Sequence, residues 1–294
     1  VVIANAISDE EADAAYSEIW DYLEGRSSEV REIDVINNNK KSSSWTGFLK
    51  RKPVIPPSVQ RDDVNTWLDY WPGRDGGRGI IGDGVVKGPA AWKNRQSESL
   101  YKGFVSVLGT EELTVSCDRY GFMRPTKNIQ FKDGPLDKDK WRTEEAWVHW
   151  DLNPHYWTGV EKTPEHGVHL INGYKVKNQG VLITENNDVV DFKGFDKVQG
   201  LVALQDSREE DGGFCCVPGF QQIIKEWAES RKIYCRAHFV FVENDEEIEN
   251  RLTKIPIRKG SCVIWSSCLP HCNYPNYSDK VRACQYIKMF PTSV

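Results

Sequence analysis

From about residue 145 onward, short apolar or alternating segments recur between clusters of Gly, Pro, Asn, Asp and Ser, and no other feature restricts the fold as strongly. The segments fall at 146–151, 167–171, 180–184, 198–205, 214–217, 235–242, 255–257, 261–266 and 281–290. Strands of this length and spacing predict a mainly β architecture of two packed sheets. One helical pattern interrupts them at 219–231, where Phe220, Ile223, Ile224 and Trp227 share a face. No internal repeat or low-complexity tract is present.

The first half reads differently. Ser8 and Glu11 match a capping box, and Ala12, Ala15, Ile19 and Leu23 form a helical stripe that Gly25 would end. A second helix is expected over 95–108, with Gly109 as its stop, and then a strand at 113–119. Between them, 27–92 is rich in Ser, Asn, Asp, Gly and Pro and carries Trp45, Trp67, Trp71 and Trp92, which predicts an irregular elaboration packed by aromatics. A chain of 294 residues can bury its core as one domain. We therefore expect a single domain over 1–294, in which 1–110 elaborate a β core at 111–294.

Charge and cysteine content narrow the partners. The 38 basic and 43 acidic residues leave a net charge of −5 without a long basic run, which disfavours a broad nucleic-acid surface. No stretch reaches the roughly 18–20 apolar residues of a membrane span. The eight Cys lack CxxC spacing and sit mostly in apolar runs, so they read as reduced thiols. The expected setting is intracellular, cytoplasmic unless a targeting peptide precedes Val1, and nothing in the sequence speaks to oligomeric state.

The chemistry concentrates around His149 and Asp151. Alternation along a strand projects these two from one side, with Trp150 on the other. His271 follows the apolar run Cys262–Leu269, where a core strand would deliver it to the mouth of a barrel. Two imidazoles and one carboxylate on a single face leave open positions on an oxygen-activating iron(II) centre. A His-x-Asp triplet alone is equally a surface His beside a solvated Asp, so the reading needs a second signal. Arg282 supplies it, as a guanidinium in an apolar strand that requires an anionic partner. The distal carboxylate of 2-oxoglutarate would serve through two parallel hydrogen bonds. The alternative is a protein carboxylate at the sheet edge.

Taken together, these residues resemble the phytanoyl-CoA dioxygenase family of iron(II)/2-oxoglutarate oxygenases. The resemblance runs over about 145–290, through His149-Trp150-Asp151, the Gln199 segment, Asp211-Gly-Gly-Phe, Val217-Pro218-Gly219, and His271 with Asn276, Ser278 and Arg282. It implies a double-stranded β-helix (jelly-roll, cupin-like) core with flanking helices. It also implies His149, Asp151 and His271 as catalytic iron ligands, and Arg282 as the 2-oxoglutarate anchor with Ser278 in the same motif. The implied reaction uses O2 and releases succinate and CO2 while oxidising, most simply hydroxylating, a C–H bond of a small-molecule substrate. Where many members read Val-Pro-Gly-Ser-His, this chain has Phe220 after Gly219. The interval from Asp151 to Gln199 is also long, and an inserted hairpin is expected within 158–198.

Further residues carry weaker signals. Gln199 could bond the cosubstrate or simply close a sheet edge, and Trp157 could pack on the bound molecules or within a loop. Arg119, Tyr120, Asn153 and His155 are candidate substrate contacts, each with packing or salt-bridging as the alternative. His166, His169 and His238 read as structural. Two rivals remain: a cupin-type metal dioxygenase that does not use 2-oxoglutarate, and a non-catalytic metal-binding module.

Overall fold

Alternation along the Val198–Ala203 strand divides the apolar core in two. Val198 and Val202 join one buried cluster with Ile19, Trp20, Phe104 and Phe122, whereas Leu201 and Ala203 join another with Phe214, Trp265 and Trp150. The first cluster lies between a sheet and the N-terminal helices. The second fills the space between two sheets and continues beneath the helix Ile224–Ser230. The computed structural model describes residues 1–26, 59–67, 76–145, 147–160, 198–231 and 240–292, and the backbone of four strands between 169 and 191.

The larger sheet has six strands in the order Val2–Ile3, Cys262–Ser266, Val198–Ala203, Arg282–Tyr286, Tyr120–Met123 and Ile80–Ile81. The facing sheet has five, in the order Val240–Phe241, His149–Trp150, His271–Tyr274, Gly213–Cys216 and Thr253–Lys254. All neighbours are antiparallel. From residue 198 the chain moves repeatedly between the sheets, as a double-stranded β-helix does. Val198–Ala203, Cys262–Ser266 and Arg282–Tyr286 belong to one sheet, and Gly213–Cys216 and His271–Tyr274 to the other.

The predicted first helix forms over Asp9–Leu23 with its capping box made on both sides, and Gly25 follows it at φ 68°. The expected helix over 95–108 is two helices, Pro89–Arg95 and Glu98–Leu108. Ser97 separates them because its hydroxyl caps Leu100 N–H. The 219–231 helix is a 3-10 turn at Phe220–Gln222 followed by Ile224–Ser230. The strand expected at 113–119 is confined to Leu113–Val115, which pairs with Met289–Pro291. The strand expected at 255–257 lies instead at Thr253–Lys254, and Ile257 makes an isolated bridge to Ser207.

In the N-terminal elaboration, Trp67 packs against Trp20 at 5.1 Å and Trp141 at 5.8 Å, whereas Trp92 is exposed on the helix Pro89–Arg95. Trp45 and Trp71 lie outside the described residues. Within 158–198 the backbone forms a four-stranded antiparallel meander of His169–Ile171, Tyr174–Lys177, Val181–Ile183 and Val189–Asp191, rather than a single hairpin. His166, His238 and the His169 side chain lie outside the described residues. No helix among those described is long and apolar enough to cross a membrane.

Candidate metal centre

Strand pairing assembles the centre. His271 does not trail the apolar run but opens the His271–Tyr274 strand, where it is the direct cross-strand partner of His149. Directly opposed residues point to the same face, so the two imidazoles meet with 4.5 Å between ring centroids. Asp151, two residues past His149, brings its carboxylate to 3.8 Å from each Nε2. The three ligand atoms lie within 4.8 Å of one another.

Each imidazole is held in one tautomer. His149 Nδ1 is 3.0 Å from the carbonyl of Trp147, and His271 Nδ1 is 2.9 Å from that of Leu269. A carbonyl only accepts, so both Nδ1 atoms carry the proton and both Nε2 lone pairs face Asp151. Burial and then repulsion from His271 push the His149 pKa well down, and burial lowers His271 against the pull of Asp151. Burial alone would raise the Asp151 pKa. The pull of His149 and His271 when protonated, and of the cationic Arg119 and Lys288, outweighs it and holds the carboxyl below its ordinary value. Neutral imidazoles beside an ionised carboxylate are a donor set that suits a divalent first-row metal.

Aromatic side chains wall the centre. Trp147 stacks on His149 with centroids 4.8 Å apart and planes within 10°, and Arg78 lies over Trp147 at 5.0 Å. On the other flank, Trp265 approaches His271 to 5.4 Å and Phe214 to 4.4 Å. The indole N–H groups of both Trp147 and Trp265 are buried and have no hydrogen-bond partner among the described residues. The sequence reading missed both tryptophans, although Trp147 shares the parity of His149 and Asp151.

Arg282 is 1% exposed. Its guanidinium lies close to Tyr286 Oη, which accepts from Asn273 Nδ2 at 2.7 Å. Nε and Nη1 have no partner among the described residues, and no carboxylate described there forms an ion pair with it. Two glycines make room for the group. A Cβ on Gly213 would stand 2.7 Å from Arg282 Nε, and one on Gly121 would stand 2.6 Å from Nη1. Gly213, at φ 104°, follows a turn that Asp211 closes through two 2.7 Å bonds from Arg208. A buried, permanently charged fork with open donors fits a carboxylate ligand.

The other expected residues separate. Gln199 is the cross-strand partner of Trp265, and its Nε2 is buried without a partner among the described residues. Trp157 ends the short helix Pro154–Trp157 and lies near Cys268. Arg119 is paired with Asp118 at 2.8 Å and lies close enough to Asp151 to feel its charge. The Ser278 hydroxyl is engaged in the turn before the Arg282 strand, with Asn276 Oδ1 at 3.0 Å and Lys280 N–H at 3.1 Å.

Three placements differ from the expected ligand contacts. Tyr120 is fully buried on the helix-facing side of its sheet, with its hydroxyl 3.4 Å from Glu18. Strand alternation thus points it away from the space between the sheets. Asn153 accepts His155 N–H at 3.1 Å and shapes the start of the short helix. His155 packs against Trp227 at 5.7 Å, on the side of the sheet to which Trp150 points.

Comparison with known proteins bears on this arrangement. A family model described as phytanoyl-CoA dioxygenase matches residues 188–284, a span that holds His271 and Arg282 but not His149 or Asp151. A Dictyostelium discoideum protein described provisionally as a phytanoyl-CoA dioxygenase is 31% identical over 299 residues, covering 100% of this chain and 72% of its own. Among solved structures, the epimerase SnoN in complex with Fe3+, alpha ketoglutarate and nogalamycin RO is 12% identical, with 99% of this chain and 78% of that chain covered and a TM-score of 0.46. HygX from Streptomyces hygroscopicus with nickel and 2-oxoglutarate bound is 11% identical, with 99% and 82% covered and a TM-score of 0.43.

Proposed function

The chain belongs to the phytanoyl-CoA dioxygenase family, and on that footing we propose that it is an iron(II)- and 2-oxoglutarate-dependent dioxygenase acting on a small-molecule C–H bond, with hydroxylation as the outcome. His149, Asp151 and His271 would hold the metal, and Arg282 the distal carboxylate of the cosubstrate. The observation that carries this reading is Arg282. A guanidinium 1% exposed, with Nε and Nη1 unpartnered among the described residues, is costly unless an anion completes it. 2-Oxoglutarate provides a carboxylate at one end and a metal-chelating 2-oxo acid at the other.

Bound there, iron(II) and 2-oxoglutarate would supply oxidative chemistry in which O2 is consumed, the cosubstrate leaves as succinate and CO2, and a substrate C–H bond is oxidised. The protein's part is positional. The carbonyls of Trp147 and Leu269 fix both imidazole tautomers, and the low pKa of each keeps its Nε2 free of a proton at neutral pH. Trp147, Trp265 and Phe214 restrict water around the imidazoles. Gly121 and Gly213 let the Arg282 fork lie against the backbone of both sheets.

The test is direct. Anaerobic protein given iron(II) and then 2-oxoglutarate should develop a weak visible charge-transfer band, and in air a metabolite library should reveal substrates that stimulate succinate release. Iron binding without any response to 2-oxoglutarate would favour a cupin-type dioxygenase that does not use this cosubstrate.

A further inference from the structure

We propose that Trp265 and Gln199 form a neutral two-donor bracket for the 2-oxo acid end of the cosubstrate. This inference rests on the reading of the site given above and assigns that end of the ligand to protein groups other than the metal triad.

The two residues are direct cross-strand partners in the larger sheet. Trp265 belongs to the cluster between the sheets, together with Leu201, which shares the parity of Gln199. A Cβ at the intervening Gly200 would instead meet Phe104, on the helix side. Gln199 and Trp265 therefore stand side by side on the interior face. Each carries a buried donor, Gln199 Nε2 and Trp265 Nε1, without a partner among the described residues. Trp265 is 6% exposed. A buried N–H left unpaired costs free energy, and two of them next to each other imply a shared acceptor.

Position selects which end of the ligand they meet. The Trp265 ring lies 5.4 Å from that of His271, beside the metal triad. Arg282 is at the other end of the interior face: Leu201 pairs with Tyr286, and Gln199 and Arg282 extend from that pair in opposite directions. An acid spanning the two regions presents one carboxylate to a charged fork and its 2-oxo acid end to the triad and the bracket. Charge agrees with this division. Asp151 and the ligand's own carboxylate already balance a divalent metal there, so neutral N–H donors orient the oxygens without adding a further charge.

Trp265→Phe keeps an aromatic ring against Phe214 and His271 and removes only the N–H, and Gln199→Leu removes the amide. Each should weaken 2-oxoglutarate about threefold to tenfold in the anaerobic iron(II) titration, the size of a neutral hydrogen bond. Each should also move the visible band to higher energy, because hydrogen bonds to the 2-oxo acid lower its acceptor orbital. Arg282→Leu serves as the contrast, with weaker binding and an unmoved band. Circular dichroism and iron affinity report whether each variant is folded and loaded. A wild-type protein without the band would overturn the underlying reading of the site. A normal wild-type band, with folded Trp265→Phe and Gln199→Leu proteins that match it in affinity and energy, would overturn the bracket alone and assign those donors to the substrate.

Discussion

His149 and His271 face each other across two antiparallel strands, 4.5 Å between ring centroids, with each Nδ1 bonded to the carbonyl two residues earlier. The candidate metal centre is thus built by register: slipping either strand by one residue would turn an imidazole out of the site. Replacing either histidine with Ala should weaken iron(II) at least about 100-fold, more than loss of an outer hydrogen-bond partner does. Both variants should lose the visible band, as read by anaerobic metal titration. Wild-type affinity in both would mean that other groups hold the metal.

Asp151→Gly removes the single carboxylate of the triad. It should weaken iron binding and abolish substrate-dependent succinate release, which metal analysis and a succinate assay would follow. Turnover at the wild-type rate would identify a different carboxylate as the ligand.

Burial holds both imidazoles below the ordinary histidine value of about 6.5, with His149 at about 3. Between those limits the unfolded chain binds more protons than the folded one, so stability decreases as pH falls. The metal-free protein should lose about 1 kcal/mol from His149 between pH 7 and pH 5.5, with His271 adding to the loss in the same direction, and little from these groups above pH 7. Urea unfolding of wild type and of a His149→Gln/His271→Gln variant checks this. A wild-type slope that persists in the double variant would place the titrating groups elsewhere.

Gly121→Ala tests the floor of the Arg282 pocket. The new methyl would stand 2.6 Å from Arg282 Nη1 and 2.8 Å from Cys284 Sγ, so the guanidinium must shift. A misaligned charge-assisted contact should weaken 2-oxoglutarate on the order of tenfold while leaving iron affinity unchanged. Calorimetry of both ligands distinguishes this from general unfolding.

Much of this arrangement is legible in the sequence because it rests on short-range rules. The Ser8–Glu11 capping box, the stop at Gly109, and the shared parity of His149 and Asp151 all follow from spacing alone. Strands of two residues, such as Ile80–Ile81 and Val2–Ile3, have no period to detect and exist through their partners. For Tyr120 the sequence leaves substrate contact and packing both open, and only the packing of Glu18 and the first helix reveals which face it takes. Likewise, Gly121 and Gly213 are unremarkable residues until the fold lays Arg282 across both.

If the buried Arg282 holds a cosubstrate carboxylate, the 2-oxoglutarate titration of the anaerobic iron(II) band must differ between wild type, Arg282→Leu and Arg282→Lys. Losing one partner of a buried charge pair costs about 2–5 kcal/mol, so Arg282→Leu should weaken 2-oxoglutarate roughly 30-fold or more with little change in iron affinity. Lys should recover only part of the loss, because an ammonium keeps the charge without the planar fork. An unchanged titration in folded Arg282→Leu protein would contradict the account.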